Sequence, residues 1–361
     1  MREYGSEFPL PFEGDGYMIV KLPRKVTDCE LLQSGRQGLR MIADELNGSA
    51  REILMPAYCC DSMVKPFEDS GWKVFFYPID SDFNVDIDAV KNLVSKMPSD
   101  SSMLLMNYFG ISAVQKAISD IRAFAPKLHL IYDFTQLLLD FDDVYNPEVE
   151  YYAGSIRKWM GVNSAAIVLS RNQLMMRGRI NMGRNEFVDK RTNAQNDKFM
   201  YETSRDAWLK NHFRSALRDC EVYLDNHTEY YEIDSRSIDV IKTTNFSMMR
   251  NARRNNLGHL FNLIKNNPKI GFVKDWEKKM LSGMPCAFML PILVDNRDAY
   301  QSALAQNGVY TQLLWPILPQ AKPVCAVARD METRMLAIPI DQRFDYEDIE
   351  DMGKIINAVI R

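Results

Sequence analysis

Ile131-Tyr132-Asp133-Phe134-Thr135-Gln136 and, further on, Ser155-Ile156-Arg157-Lys158-Trp159 decide how this chain is read. In the first stretch an apolar run meets a carboxylate. Such a run is a buried strand, with Asp133 at its C-terminal end, where open α/β sheets gather their ligand groups. A carboxylate there either pairs with a cationic ring nitrogen or caps the segment that follows. In the second stretch Ser155 and Lys158 are three residues apart, so on a helical turn they point the same way. Lys158 stands close to Trp159, Met160 and Val162. A lysine in apolar surroundings is desolvated, which lowers its pKa and makes the amine a nucleophile toward aldehydes. The competing reading is a surface lysine beside an arginine.

Around these stretches, short apolar runs alternate with amphipathic patterns. Strands are predicted at Glu52–Met55, Lys73–Tyr77, Met103–Asn107, His129–Tyr132 and Ala166–Ser170. Helices are predicted at Arg36–Leu46, Ser62–Ser70, Asp86–Ser95 and Val114–Phe124. The order implies an α/β fold, a mostly parallel sheet flanked by helices. Arg177–Asp225 is rich in charge, Asn and Met and reads as a loop followed by a helix. Phe246–Lys265 reads as a long helix, followed by a strand at Ala287–Leu293, a helix at Arg297–Gln306, a strand near Met335–Pro339 and a closing helix at Tyr346–Ile360. The expected division is an N-terminal arm (1–28), a large α/β domain (29–235) and a smaller C-terminal α+β domain (236–361).

Composition narrows the function. The 361 residues carry 44 Lys+Arg against 48 Asp+Glu, a net charge of −4 with no basic block. Nucleic acid and an anionic membrane are therefore not the expected partners. No apolar run approaches a membrane span and Met1-Arg2-Glu3-Tyr4-Gly5 lacks a signal-peptide core, so the expected location is the cytoplasm. The six cysteines form no Cys-x-x-Cys pair, and no zinc site is expected. The four histidines are scattered, and His129 is expected in the core. Acid–base chemistry should rest on another group.

Two further segments can carry ligand chemistry. Ser34-Gly35-Arg36-Gln37-Gly38 puts a glycine turn at a helix N-terminus, whose free N–H groups and positive dipole end can cradle a phosphate; the competing reading is an ordinary serine N-cap with a turn glycine. Leu54-Met55-Pro56-Ala57-Tyr58-Cys59-Cys60-Asp61 ends a strand in a loop that could lie on a planar cofactor, its thiols read as buried and inert.

In this order the segments resemble a pyridoxal-phosphate (PLP) enzyme of the aspartate-aminotransferase fold, fold type I. More narrowly they resemble the DegT/DnrJ/EryC1/StrS sugar aminotransferases. Asn-Tyr-Phe-Gly at 107–110 and Leu336-Ala337-Ile338-Pro339-Ile340-Asp341-Gln342-Arg343 belong to the same resemblance. It implies that Lys158 bonds covalently to the cofactor and shuttles protons, and that Asp133 holds the pyridinium nitrogen protonated. Gly35, Arg36, Gln37 and Ser155 would bind the phosphate. Asn107 and Gln136 would lie near the ring's phenolic oxygen, and Tyr58 or Cys60 would cover the ring face. The activity implied is transfer of an amino group from Glu or Gln to a nucleotide-linked keto-sugar, by a homodimer. Partners would be a small-molecule amino donor and a keto acceptor. Alternatives on the same fold are an amino-acid aminotransferase, a lyase or dehydratase, or a non-catalytic ligand-binding descendant. The chain departs from the group at Ala153, where a serine stands five before the lysine, and at 161–166, where a Gly-rich segment is replaced. It also lacks the group's Asn-Tyr-Arg segment.

Overall fold

The computed structural model describes residues 2–8, 26–183, 185–273, 276–281 and 285–361. Of the expected arm, residues 1 and 9–25 lie outside the described residues. The strands in chain order are β1 (Tyr4–Gly5), β2 (Asp28–Leu32), β3 (Glu52–Pro56), β4 (Lys73–Tyr77), β5 (Ser102–Met106) and β6 (His129–Asp133). β7 (Tyr151–Ser155), β8 (Ala166–Ser170), β9 (Leu290–Leu293), β10 (Val309–Tyr310) and β11 (Met335–Ile338) follow. Seven of them form one sheet in the order β2-β8-β7-β6-β5-β3-β4. From β4 to β7 neighbours are parallel, while β8 runs antiparallel to both β7 and β2. The expected α/β fold with a mostly parallel sheet is the observed one.

Parallel strands need crossovers, and the sequence supplies them as helices. These are α1 (Gly35–Glu45), α2 (Asp61–Glu68), α3 (Ile87–Val94) and α4 (Val114–Phe124). β5 is buried along its whole length, as a strand covered on both faces must be. Boundaries fall within about two residues of the sequence expectation because caps fix them: Ser34 accepts from Gln37 N–H and Asp86 from Ala89 N–H. Two small sheets lie apart from the large one, β9 with β11 antiparallel and β1 with β10 parallel. The Phe246–Ile264 helix packs on the closing helix Tyr346–Val359. No helix among the described residues is long and apolar enough to cross a membrane.

Three expectations need correction. Strands β2 and β7 were not expected. β2 is an edge strand in which Asp28 and Glu30 break the apolar run, and β7 ends in Gly154-Ser155, residues that strand propensity disfavours. Arg177–Asp225 is a helical hairpin, Glu186–Ser204 against Ala207–Asn226. The first of these helices interrupts its buried face of Phe187, Val188, Ala194 and Tyr201 with Arg191, Gln195 and Lys198, so apolar periodicity is too broken to reveal it. His129 is half-buried at the start of β6 rather than in the core.

Candidate active site

The C-terminal ends of β5, β6 and β7 open into one cleft, the position that parallel α/β sheets reserve for ligands. Met106, Asp133 and Ser155, the last residues of the three strands, all line it. Register explains the convergence. Met106 pairs with Asp133 and Asp133 with Ala153, so β5 and β6 end level and β7 runs on two residues to Ser155. After Ser155 the chain makes one tight helical turn, Ile156–Lys158, which carries Lys158 onto the same wall. The turn is anchored by Trp159, fully buried, whose Nε1–H donates to the Thr135 carbonyl at 2.6 Å. The Arg253 guanidinium lies 4.4 Å over its ring, and Gln342 donates to its carbonyl at 2.9 Å.

Lys158 itself is exposed on the wall. The desolvation expected from its apolar neighbours in sequence is not found, because Trp159, Met160 and Val162 turn inward and the lysine turns out. Asp133 is buried and accepts from Thr135 N–H at 2.8 Å. Burial raises its carboxyl above the ordinary value, against the pull of the Thr135 hydrogen bonds and the Lys158 charge. The native chain therefore prefers the proton on Asp133 more than the unfolded chain does. Whatever stability this gives is lost as pH rises beyond the ordinary carboxylate range. Asp133→Asn is thus expected to raise the melting temperature of cofactor-free protein by about 1–3 °C at pH 8. The gain should shrink at pH 4. A melting point lowered at both pH values would show that burial is not the dominant cost.

Gly35 opens α1 directly opposite Ser155. A Cβ on Gly35 would stand 3.5 Å from Ser155 Cβ and 4.0 Å from its Oγ, filling the space between hydroxyl and helix end. The first N–H groups of a helix have no partner within it, so an anion placed here meets them and the hydroxyl together. Arg36 and Arg157 also line the cleft, and both bind Glu221, at 2.9 and 2.6 Å. Arg36 further pairs with Asp225 at 2.8 Å. Burial works against the Glu221 carboxylate, but Arg157 first, then Arg36 and Arg191, hold it far below its ordinary value. The stability it contributes is complete above the ordinary carboxylate range and is lost as pH falls through the depressed value. Glu221 is 41 % exposed, so Glu221→Gln is expected to cost about 1–3 kcal/mol in urea denaturation at pH 7, the low end for a broken buried pair. A cost below about 0.5 kcal/mol would mean that solvent screens the cluster.

Of the sequence-predicted residues, Lys158, Asp133, Gln136, Ser155, Gly35 and Arg36 stand on this one cleft. Gln37, Tyr58, Cys60 and Asn107 do not line it. The Gln37 side chain bridges Gln33 and the Tyr231 N–H, both at 3.2 Å. Tyr58 is fully buried in a stack with Phe83 and Tyr108 and touches Trp315 edge-on. Cys60 precedes α2 and accepts from the Ser62 hydroxyl at 3.1 Å. Asn107 exchanges hydrogen bonds with the Ser112 backbone at 3.3 and 3.2 Å. The substituted segment 161–166 is ordered by distant partners: Ser164 donates to Asp234 at 2.6 Å, and Ser237 Oγ accepts from the N–H groups of Asn163 and Ser164. Arg343 grips Asp341 with two bonds, at 2.7 and 2.8 Å.

Sequence reading missed Arg191, Glu221, Trp315 and the strap Ser6-Glu7-Phe8, all on the cleft wall. The one available signal was the spacing of Arg191, Gln195 and Lys198, which puts three long polar side chains on one helical face.

No protein-family model matches this sequence, and no curated protein matches it. Solved structures do. An aminotransferase of Helicobacter pylori, PseC, involved in pseudoaminic acid biosynthesis, is 11 % identical with a TM-score of 0.66 over 99 % of both chains. A DegT DnrJ EryC1 StrS aminotransferase of Brucella abortus is 13 % identical with a TM-score of 0.63, over 93 % of this chain and 86 % of that one. NtdA of Bacillus subtilis, solved with bound PMP, is 15 % identical with a TM-score of 0.62, over 93 % of this chain and 74 % of that one. The fold is that of these aminotransferases. At such identities the likeness shows the fold, and the chemistry has to be argued from the cleft.

Proposed function

We propose that this chain is a PLP-dependent aminotransferase that passes an amino group from glutamate or glutamine to a keto-sugar carried on a nucleotide. The observation that supports it most is the convergence of Lys158, Asp133, Ser155 and Gly35 on one cleft. The residues fit the cofactor. Gly35 leaves free the space a phosphate would need beside Ser155, and Asp133 is a buried carboxylate suited to a cationic ring nitrogen. When bound, PLP supplies an electron sink for the charge left when a proton leaves the substrate carbon.

Lys158 would hold the cofactor covalently and, once released, carry that proton. Asp133 would keep the ring nitrogen protonated; a cation there removes the cost of burying its charge. Ser155 Oγ–H and the first N–H groups of α1, including that of Arg36, would hold the phosphate, since the Arg36 guanidinium is occupied by Glu221 and Asp225. Gln136 uses its Oε1 on the Phe109 N–H at 2.8 Å, which leaves its amide N–H groups to donate to the ring's phenolic oxygen. On this reading residues 29–235 bind the cofactor, 236–361 form the small domain, and a second subunit completes the site. The test is spectroscopic. Protein mixed with PLP should gain a visible band, and addition of glutamate should discharge it as the amino group transfers. A protein that takes up no PLP would sink the reading.

A further inference from the structure

Residues 6–8 cross the mouth of the cleft as a strap, and their main chain is tied down firmly. Lys198 donates to the Glu7 carbonyl, Arg343 to the carbonyls of Glu7 and Ser6 at 3.2 and 3.4 Å, and Gln195 to that of Phe8 at 3.4 Å. The Arg343 guanidinium also covers the Phe8 ring at 4.1 Å. The Glu7 side chain is held differently. Among the described residues its carboxylate makes one bond, accepting from Arg191 Nη2 at Oε2 at 3.0 Å, and the side chain is 45 % exposed. It can leave while the strap stays.

Arg191 is the unusual partner. It is 2 % exposed, it lines the cleft, and among the described residues its Nε and Nη1 have no hydrogen-bond acceptor. The Nε of Arg157, on the same wall, has none either. A buried guanidinium using one of its five donors is under-occupied. A planar carboxylate meeting it fork to fork takes two bonds at once, where Glu7 takes one. Burial works against the Glu7 charge, yet Arg191 and Arg157 hold it ionised below the ordinary range, so the spot selects an anion.

We infer that Arg191 is the receptor for a carboxylate of the amino donor, and that Glu7 is its resident occupant, displaced when the donor enters. Naming the donor rests on the aminotransferase reading; the receptor itself does not. Glutarate, a dicarboxylate with no amine to react, is the probe, titrated by calorimetry into protein with and without PLP. Glu7→Gln should tighten glutarate binding about tenfold by removing the competitor. Arg191→Gln should weaken it about tenfold or more, and the double variant should bind no better than Arg191→Gln alone. Arg191→Lys, which keeps the charge but not the fork, covers the case in which Arg191→Gln fails to fold. Unchanged glutarate affinity in Glu7→Gln overturns the proposal. So does a gain seen with inorganic phosphate in place of glutarate and abolished by PLP, which would make Arg191 an anchor for the cofactor. The titrations need no transamination, so a protein that binds glutarate as expected but takes up no PLP refutes the proposed function and not the receptor.

Discussion

Lys158→Ala should leave the protein folded and remove its visible cofactor band together with its activity. The side chain is exposed on the cleft wall, so truncation empties no core and stability should change by no more than about 0.5 kcal/mol. What it removes is the only amine that the turn after β7 presents there. On the proposed function Lys158 both bonds the cofactor and moves the proton, and its loss is then expected to slow the amino-donor half-reaction by roughly 10³-fold or more. Lys158→Arg keeps the charge but offers no amine able to attack an aldehyde, and it should be equally inactive. Absorbance spectra and single-turnover rates with glutamate check both variants. A persistent band in Lys158→Ala would place the cofactor's attachment elsewhere.

Gly110→Ala should be the most damaging small substitution near the cleft. Gly110 has φ +81°, a conformation that costs an L side chain energy on its own. An added Cβ would lie 2.5 Å from Pro285 Cβ, a stiff ring, and 3.1 Å from Leu137 Cδ2. The strain and the overpacking together are expected to cost about 3 kcal/mol. The effect should reach the site, because neighbouring Phe109 gives its N–H to Gln136. Gly48→Ala is the control: nothing lies within 4 Å of its added Cβ, and it should be neutral within about 0.5 kcal/mol. Denaturant melts compare the two. A neutral Gly110→Ala would mean that the 107–112 loop gives way without cost.

Much of the site was legible because its residues sit at the ends of local patterns. An apolar strand ending in Asp133 and a serine-capped helix beginning at Gly35 are readable from neighbouring residues alone. Their positions relative to the sheet follow from the rule for parallel strands. The aromatic at Tyr58 was less legible. A loop residue after a strand can turn into the cleft or behind it, and Phe83, Tyr108 and Trp315 drew it behind. The Glu186–Ser204 helix was illegible for a different reason. Its buried face mixes Arg191, Gln195 and Lys198 with Phe187, Val188, Ala194 and Tyr201, and the three long polar side chains read as a solvated surface until their partners are known.

By itself, then, the sequence determined the alternation of strands and helices, the helix starts, the placing of Asp133 at a strand end, and the three-residue spacing that turns Ser155 and Lys158 the same way. Each of these depends on side chains a few residues apart. Only the tertiary structure decided that Arg36 and Arg157 share Glu221, that Arg191 lies buried with unused donors, and that Glu7 stands before it. These groups come from the strap, α1, the turn after β7 and the helical hairpin, segments far apart in the chain. A buried charge is tolerable only beside its counter-charge, and which charges meet is settled when the chain closes on itself.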